Sequence, residues 1–243
     1  MTGPLALVGS GEYLPVMLDV ERLLLDGRPE RYVQLATASA PEGPASVERW
    51  HRLGREQAQR LGVEAVQPPV VDAASAADEA NAAQVTGAGL VYLSGGNPGY
   101  LADALRGSAT WEAILHAWRG GAALAGCSAG AIALTGWVPS LRHPRRGAVD
   151  GLNLLPHLRV IPHFDKMLGW MPDIVQRTLL QAPHGTTVVG IDEDTALVGG
   201  PHEWQVQGRQ SVVPGITFCD TTSQSNLWSL SLMPRASWRK STE

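Results

Sequence analysis

The pentapeptide GCSAG at residues 126–130 has the residue types and the spacing of a serine nucleophile. A short apolar run at 122–125 precedes it and helix-forming residues at 131–134 follow it, which predicts a sharp turn between a buried strand and a helix. Such a turn exposes the Ser128 hydroxyl and points the Ala129 N–H towards a developing oxyanion. Cys127 is a rival nucleophile, but the motif centres on Ser128, so we expect Cys127 to point into the core. The alternative is a Gly/Ala-rich turn that only packs tightly.

A serine nucleophile needs a base that accepts its proton and an acid that orients the base. Of the seven histidines, His163 alone directly follows a predicted buried strand at the sheet end where Ser128 lies. Glu193 follows another predicted strand, and the alternation of side chains puts it on the side opposite Asp192 and Asp194. We therefore predict Glu193 as the acid, with either aspartate as an open alternative. A solvated acidic turn at a strand end is the non-functional interpretation.

A second glycine turn, SGGNP at 94–98, also ends a predicted strand. Asn97 has the residue type of a helix N-cap, and Pro98 suits the first helical position. A helix start that needs flexible residues would explain one glycine. Because two are present, we favour a turn that supplies a second oxyanion donor beside Ala129.

These residues must be positioned by short apolar strands that alternate with helical patterns. Strands are predicted at 5–8, 32–36, 90–93 and 122–125, and helices at 14–25, 45–61 and 74–85. The pattern predicts an α/β fold of three layers (α/β/α) with a mostly parallel sheet, followed by antiparallel strands within 195–213. Ligands bind at the carboxyl ends of such strands, where the Gly9, 95–96 and 126–130 turns would converge. The order serine, histidine, acid disfavours an α/β-hydrolase, although Asp150 ahead of His163 would imitate that fold.

Composition narrows the function further. The 243 residues suit a single domain over 1–243, with a polar tail from about 221 that packs loosely. A net charge of -4 without a basic run argues against nucleic acid or membrane-surface partners. The two cysteines make no metal-binding spacing, and we expect neither a metal nor a cofactor. The first residues lack the basic run and the long apolar run of a signal peptide or membrane span, so we expect neither and we expect a cytoplasmic protein, with a homodimer left open.

Three separated motifs resemble the dipeptidase E and cyanophycinase family of serine peptidases. They are GCSAGA at 126–131 with SGGN at 94–97, GLNLLP at 151–156 with PHF at 162–164, and GIDEDTAL at 190–197. The match runs in order through most of the chain. The resemblance implies a fold like that of class I glutamine amidotransferases, with serine in place of their cysteine.

The resemblance also implies roles for individual residues. By motif, Ser128 matches the nucleophile, His163 the base and Glu193 the acid, while Gly96 and Ala129 match the oxyanion donors. The implied function is a serine peptidase of the dipeptidase or aminopeptidase type that cleaves short peptides through an acyl-enzyme. Two rivals are an esterase or amidase with the same triad, and a catalytically silent relative that binds a metabolite or a protein.

Substrate specificity departs from these relatives, which are linked to aspartyl substrates and carry arginines after the histidine. Here the segment 165–189 offers only Lys166 and Arg177 as cations, among Met167, Trp170 and Met171. We expect Asn97, Arg142 and Trp170 to contact the substrate. Because a buried carboxylate needs a cationic partner, we predict that strict aspartyl specificity is absent.

Overall fold

Eight strands form the central sheet of the computed structural model, which describes residues 2–139, 148–166, 185–214 and 239–240. Across the sheet they are β11 (Arg239–Lys240), β9 (Trp204–Gly208), β8 (Thr195–Gly199), β1 (Leu5–Val8), β5 (Ala123–Cys127), β4 (Leu90–Leu93), β2 (Arg31–Leu35) and β3 (Glu64–Val66). The five neighbouring strands β1, β5, β4, β2 and β3 run parallel to one another, whereas β8 pairs antiparallel with both β1 and β9. This arrangement confirms the predicted α/β class with antiparallel strands near the C-terminus.

Helices connect the parallel strands. They are α1 (Leu18–Leu25), α2 (Pro44–Leu61), α3 (Ala73–Ala77), α4 (Glu79–Ala83), α5 (Pro98–Leu105), α6 (Ala109–Arg119) and α7 (Ala129–Ala133), with 3-10 turns at Pro15–Met17 and Thr37–Glu42. The single helix predicted at 74–85 is two helices, because the Asp78 side chain accepts the Ala80 N–H at 2.8 Å and starts a new helix. None of the helices within the described ranges is long and apolar enough to cross a membrane.

The core lies on both faces of the central sheet. In β1 the buried side chains of Leu5 and Leu7 join one apolar cluster, while those of Ala6 and Val8 join the other. This period of two is that of a strand buried on both faces. The chain therefore forms the predicted three layers.

A second, three-stranded sheet contains β6 (Leu158–Ile161), β7 (Thr187–Ile191) and β10 (Val212–Pro214), in the order β10, β7, β6. β6 and β7 are parallel neighbours, so the segments that follow them emerge at the same edge. Those segments carry His163 and Glu193. The predicted polar tail from about 221, apart from β11, lies outside the described residues.

Candidate active site

Ser128 lies on a strained turn between β5 and α7. Its backbone has φ 48° and ψ -105°, a conformation that non-glycine residues rarely adopt and that costs roughly 1–3 kcal/mol. The Ser128 N–H donates to the Val8 carbonyl at 2.9 Å, which ties the turn to the end of β1. A Cβ on Gly126 would lie 2.5 Å from the carbonyl carbon of Gly130, so only glycine allows this close approach. The turn therefore has the geometry predicted for a nucleophile.

A hydrogen-bonded chain joins the three predicted triad residues. Ser128 Oγ lies 3.1 Å from His163 Nε2, and His163 Nδ1 lies 2.9 Å from Glu193 Oε1. Each residue follows a different strand, β5, β6 or β7, so tertiary structure brings them together. A neutral His163 with its proton on Nδ1 donates to Glu193 and leaves Nε2 free to accept the serine proton. The side chains of His163 and Glu193 are 39% and 32% exposed, so water reaches both.

The alternative acids point elsewhere. Asp192 Oδ2 accepts the Ser211 N–H at 3.1 Å, and burial, reinforced by the charge of a neighbouring aspartate, raises the pKa of Asp192. Asp194 Oδ1 instead approaches Gly11, where an added Cβ would lie 2.3 Å from it. Among the described acids, only Glu193 contacts the ring of His163.

Asp165 supports Glu193, a contact that the sequence analysis did not predict. Its Oδ1 accepts the backbone N–H of Glu193 at 3.0 Å. Burial alone would raise the pKa of Asp165, but this hydrogen bond and the charge of Lys166 outweigh burial and lower it. Asp165 therefore stays ionised and holds the turn that presents Glu193. Its position two residues after the histidine was the only signal in the sequence.

The two predicted oxyanion donors carry no acceptor within the described part of the chain. Gly96 has φ 138°, and a Cβ there would lie 2.3 Å from the Ala38 carbonyl oxygen, so only glycine fits. The N–H of Gly95 is already taken, because it donates to Glu12 Oε1 at 3.1 Å. Of the glycine pair, this leaves only the Gly96 N–H without an acceptor within the described ranges.

Cys127 points away from the site, as predicted. Its side chain is fully buried in the apolar cluster, and its thiol donates to Glu12 Oε2 at 2.8 Å. Burial first, and then the negative charge of Glu12, raise the pKa of the thiol well above its ordinary value. The thiol therefore keeps its proton and is a poor nucleophile.

The predicted substrate contacts are only partly described. The Oδ1 of Asn97 accepts the Tyr100 N–H at 3.0 Å and caps α5, while its side-chain amide nitrogen has no hydrogen bond within the described ranges. Arg142 and Trp170 lie outside the described residues. No three side chains of His, Cys, Asp or Glu come together as a metal site in the described ranges.

Sequence reasoning also missed Glu12, whose carboxylate reaches the Gly95 turn across 83 positions of the chain. The only available signal was its place after the first strand, at the edge where the other turns were expected to converge. Asp150, considered as an alternative acid, accepts a hydrogen bond from Arg106 through its backbone carbonyl and does not contact His163.

Comparisons with known proteins place this site in context. The model of peptidase family S51 matches residues 51–205. The crystal structure of a peptidase from an acI-B1 Actinobacterium matches with a TM-score of 0.82 and 42% identity, over 87% of this chain and 90% of that one. A protein described as a peptidase E from Listeria monocytogenes EGD-e shares the fold, with a TM-score of 0.63 and 18% identity over 86% of this chain and 100% of that one. No curated protein matches the sequence.

Proposed function

The chain belongs to peptidase family S51 and is a serine-type peptidase, and we propose that it hydrolyses short peptides, as a dipeptidase or aminopeptidase, through Ser128, His163 and Glu193. The observation that carries the proposal is the continuous chain of contacts at 3.1 and 2.9 Å from Ser128 Oγ through the His163 ring to Glu193. Nucleophile, base and acid in this order are the parts that acyl transfer requires.

The reaction follows from these positions. His163 Nε2 accepts the Ser128 proton while Oγ attacks the scissile carbonyl carbon, and Glu193 stabilises the imidazolium. The carbon–nitrogen bond then breaks, and the amine leaves with the proton from His163. Water gives its proton to the same nitrogen and cleaves the ester, which restores Ser128. The Gly96 and Ala129 N–H groups bind the oxyanion in both steps.

The proposed substrates carry neutral or apolar residues before the scissile bond. In the sequence, the segment after His163 offers only Lys166 and Arg177 as cations where the relatives carry arginines, so it is poor in the usual partner for an acidic substrate. Asn97, Arg142 and Trp170 stay predicted substrate contacts. A cytoplasmic location and a homodimer also stay predictions.

Two measurements test the proposal together. A fluorophosphonate probe should label wild-type protein at Ser128, located by mass spectrometry of the labelled peptide, and should not label Ser128→Ala. Asp-Leu, Ala-Leu and Leu-Leu should release free leucine, and Ser128→Ala should lower kcat by about 10⁴-fold or more. Turnover that persists in Ser128→Ala would refute the proposal. Labelling with hydrolysis of nitrophenyl esters but of no peptide would favour the esterase.

The same dipeptides test specificity. We expect Ala-Leu and Leu-Leu to be cleaved at least as well as Asp-Leu at equal concentration. A preference for Asp-Leu above about a hundredfold, near 2.7 kcal/mol in transition-state binding, would contradict this expectation. Loss of that preference in Arg142→Ala would then identify the cation.

A further inference from the structure

The carboxylate of Glu12 lies next to the proposed nucleophile but takes no part in the triad. Its Oε1 accepts the Gly95 N–H at 3.1 Å and its Oε2 accepts the Cys127 thiol at 2.8 Å. A Cβ placed on Gly95 would lie 2.7 Å from Glu12 Oε1 and 3.6 Å from Ser128 Cβ. Glu12 and Ser128 therefore flank the same residue, on the turn that provides the Gly96 N–H.

The carboxylate of Glu12 forms no ion pair with a cationic side chain within the described ranges. None of the ion pairs there involves Glu12. Its two donors are a backbone N–H and a buried thiol that keeps its proton. A carboxylate can accept about four hydrogen bonds, so about half of its capacity is unused. Because Glu12 is half-buried, a cation that reaches it would gain a charge-assisted hydrogen bond.

We propose that Glu12 binds the α-ammonium group of the substrate and thereby makes the site select peptides with a free N-terminus. The inference rests on the proposed peptidase function of Ser128. In a peptide cleaved after its first residue, the ammonium nitrogen lies only about 2.5 Å from the carbonyl carbon that is attacked. That carbon must approach the serine oxygen to about 3 Å before reaction. Because only Gly95 separates Glu12 from Ser128 in space, the Glu12 carboxylate is within reach of the ammonium group.

An N-blocked or internal peptide presents a neutral amide at the same place. Such a substrate would cover Glu12 and remove water from the carboxylate without providing a positive charge. Leaving a desolvated charge unpaired is unfavourable, so the same residue that attracts free N-termini also rejects blocked ones. This predicts release of N-terminal residues rather than cleavage within a chain.

A purely structural role for Glu12 is the competing explanation, because its hydrogen bond fixes the Gly95 turn. Glu12→Gln separates the two roles. The glutamine side chain still offers an oxygen to the Gly95 N–H but has no charge. Loss of the structural tie would weaken turnover of every substrate, whereas loss of the charge would weaken turnover of free amines but not that of blocked peptides.

The experiment compares Ala-Leu with N-acetyl-Ala-Leu and measures the ratio of their kcat/KM values. We expect wild-type protein to favour Ala-Leu by at least tenfold and Glu12→Gln to bring the ratio to within about threefold of one. Glu79→Gln, which removes an exposed carboxylate on α4, should keep the wild-type ratio. An unchanged ratio in Glu12→Gln, or a wild-type ratio near one, would overturn the assignment.

A binding measurement distinguishes failure of this assignment from failure of the proposed function. In Ser128→Ala, calorimetric titration should give at least tenfold tighter binding of Ala-Leu than of N-acetyl-Ala-Leu, and adding Glu12→Gln should abolish the difference. If neither peptide is hydrolysed by wild-type protein but the binding difference holds, the peptidase proposal fails and the Glu12 assignment stands. Equal affinities in Ser128→Ala would overturn the Glu12 assignment.

Discussion

Replacing Glu193 with glutamine tests which acid orients His163, and the structure sets the size of the effect. The contact between His163 Nδ1 and Glu193 Oε1 is 2.9 Å long and becomes charge-assisted once the imidazolium forms. Hydrogen bonds to charged groups contribute about 1.5–3 kcal/mol, which corresponds to roughly 10- to 150-fold in rate. The glutamine amide can also present its N–H₂ to Nδ1 and impose the wrong tautomer, which adds to the loss.

Exposure limits that loss. Because the two side chains are 39% and 32% exposed, water partly replaces the lost charge, and the amide has room to turn its oxygen towards Nδ1. We therefore expect Glu193→Gln to lower kcat by on the order of 10²-fold, well short of the 10⁴-fold known for a buried triad aspartate.

Two neighbouring aspartates provide matched controls. Asp192→Asn keeps an oxygen for the Ser211 N–H, and Asp194→Asn keeps a residue type that tolerates its positive φ of 54°. Both should stay within about threefold of wild type. The assay measures kcat with Ala-Leu and, independently of substrate choice, the rate constant of fluorophosphonate labelling of Ser128. A loss in Asp192→Asn as large as that in Glu193→Gln, at matched thermal stability, would refute the assignment of the acid.

Three further outcomes concern Cys127, Asp165 and Glu21. Cys127→Ala should retain fluorophosphonate labelling at Ser128. Loss of this labelling in a Cys127→Ala protein that is still folded would show that the thiol is required. Asp165→Asn should lower kcat by about three- to tenfold with little change in KM, because the weaker acceptor loosens the Glu193 turn. A loss of thermal stability with unchanged kcat would show that Asp165 has only a structural role. Burial raises the pKa of Glu21 from 4.5 to about 8, so the folded protein holds a proton that the unfolded chain releases above pH 4.5. The stability that this site contributes is complete below pH 4.5 and declines by roughly 1.4 kcal/mol per pH unit up to about pH 8. The free energy of unfolding of Glu21→Gln, measured with urea, should lack this decline. A pH dependence equal to that of wild type would contradict the prediction.

Much of the fold was predictable because the parallel strands are continuous apolar runs. β4 at Leu90–Leu93 has the predicted bounds, and α2 at Pro44–Leu61 begins one residue earlier than expected. These elements are specified locally, by burial on both faces and by the helical period. The sequence pattern does not state which strands pair. For that reason the sequence did not predict the separate sheet that contains β6 and β7. It did predict His163 and Glu193, which follow these two strands, as site residues.

The candidate site shows the same division between residue identity and contact. Ser128, His163 and Glu193 could be found because each directly follows a strand. Glu12 and Asp165 could not, since their importance lies in hydrogen bonds to Gly95 and Glu193, across 83 and 28 positions of the chain. A carboxylate in a turn is ordinarily solvated, and only tertiary structure shows that these two are held beside the nucleophile and the acid.

Backbone strain explains why the orientation of the site belongs to the tertiary structure. The non-glycine residues with positive φ in the described ranges are Tyr13, Ser128, Asn153, His163 and Asp194. Two of the five are in the proposed triad, and two others directly follow Glu12 and Glu193. Such conformations cost about 1–3 kcal/mol each and persist only where neighbouring contacts enforce them. Such contacts exist here. The Ser128 N–H donates to the Val8 carbonyl at the end of β1, and the Asp194 N–H donates to the Ser10 carbonyl in the turn that follows β1. The strand ends thus impose directions on these side chains that their local sequences would not adopt alone.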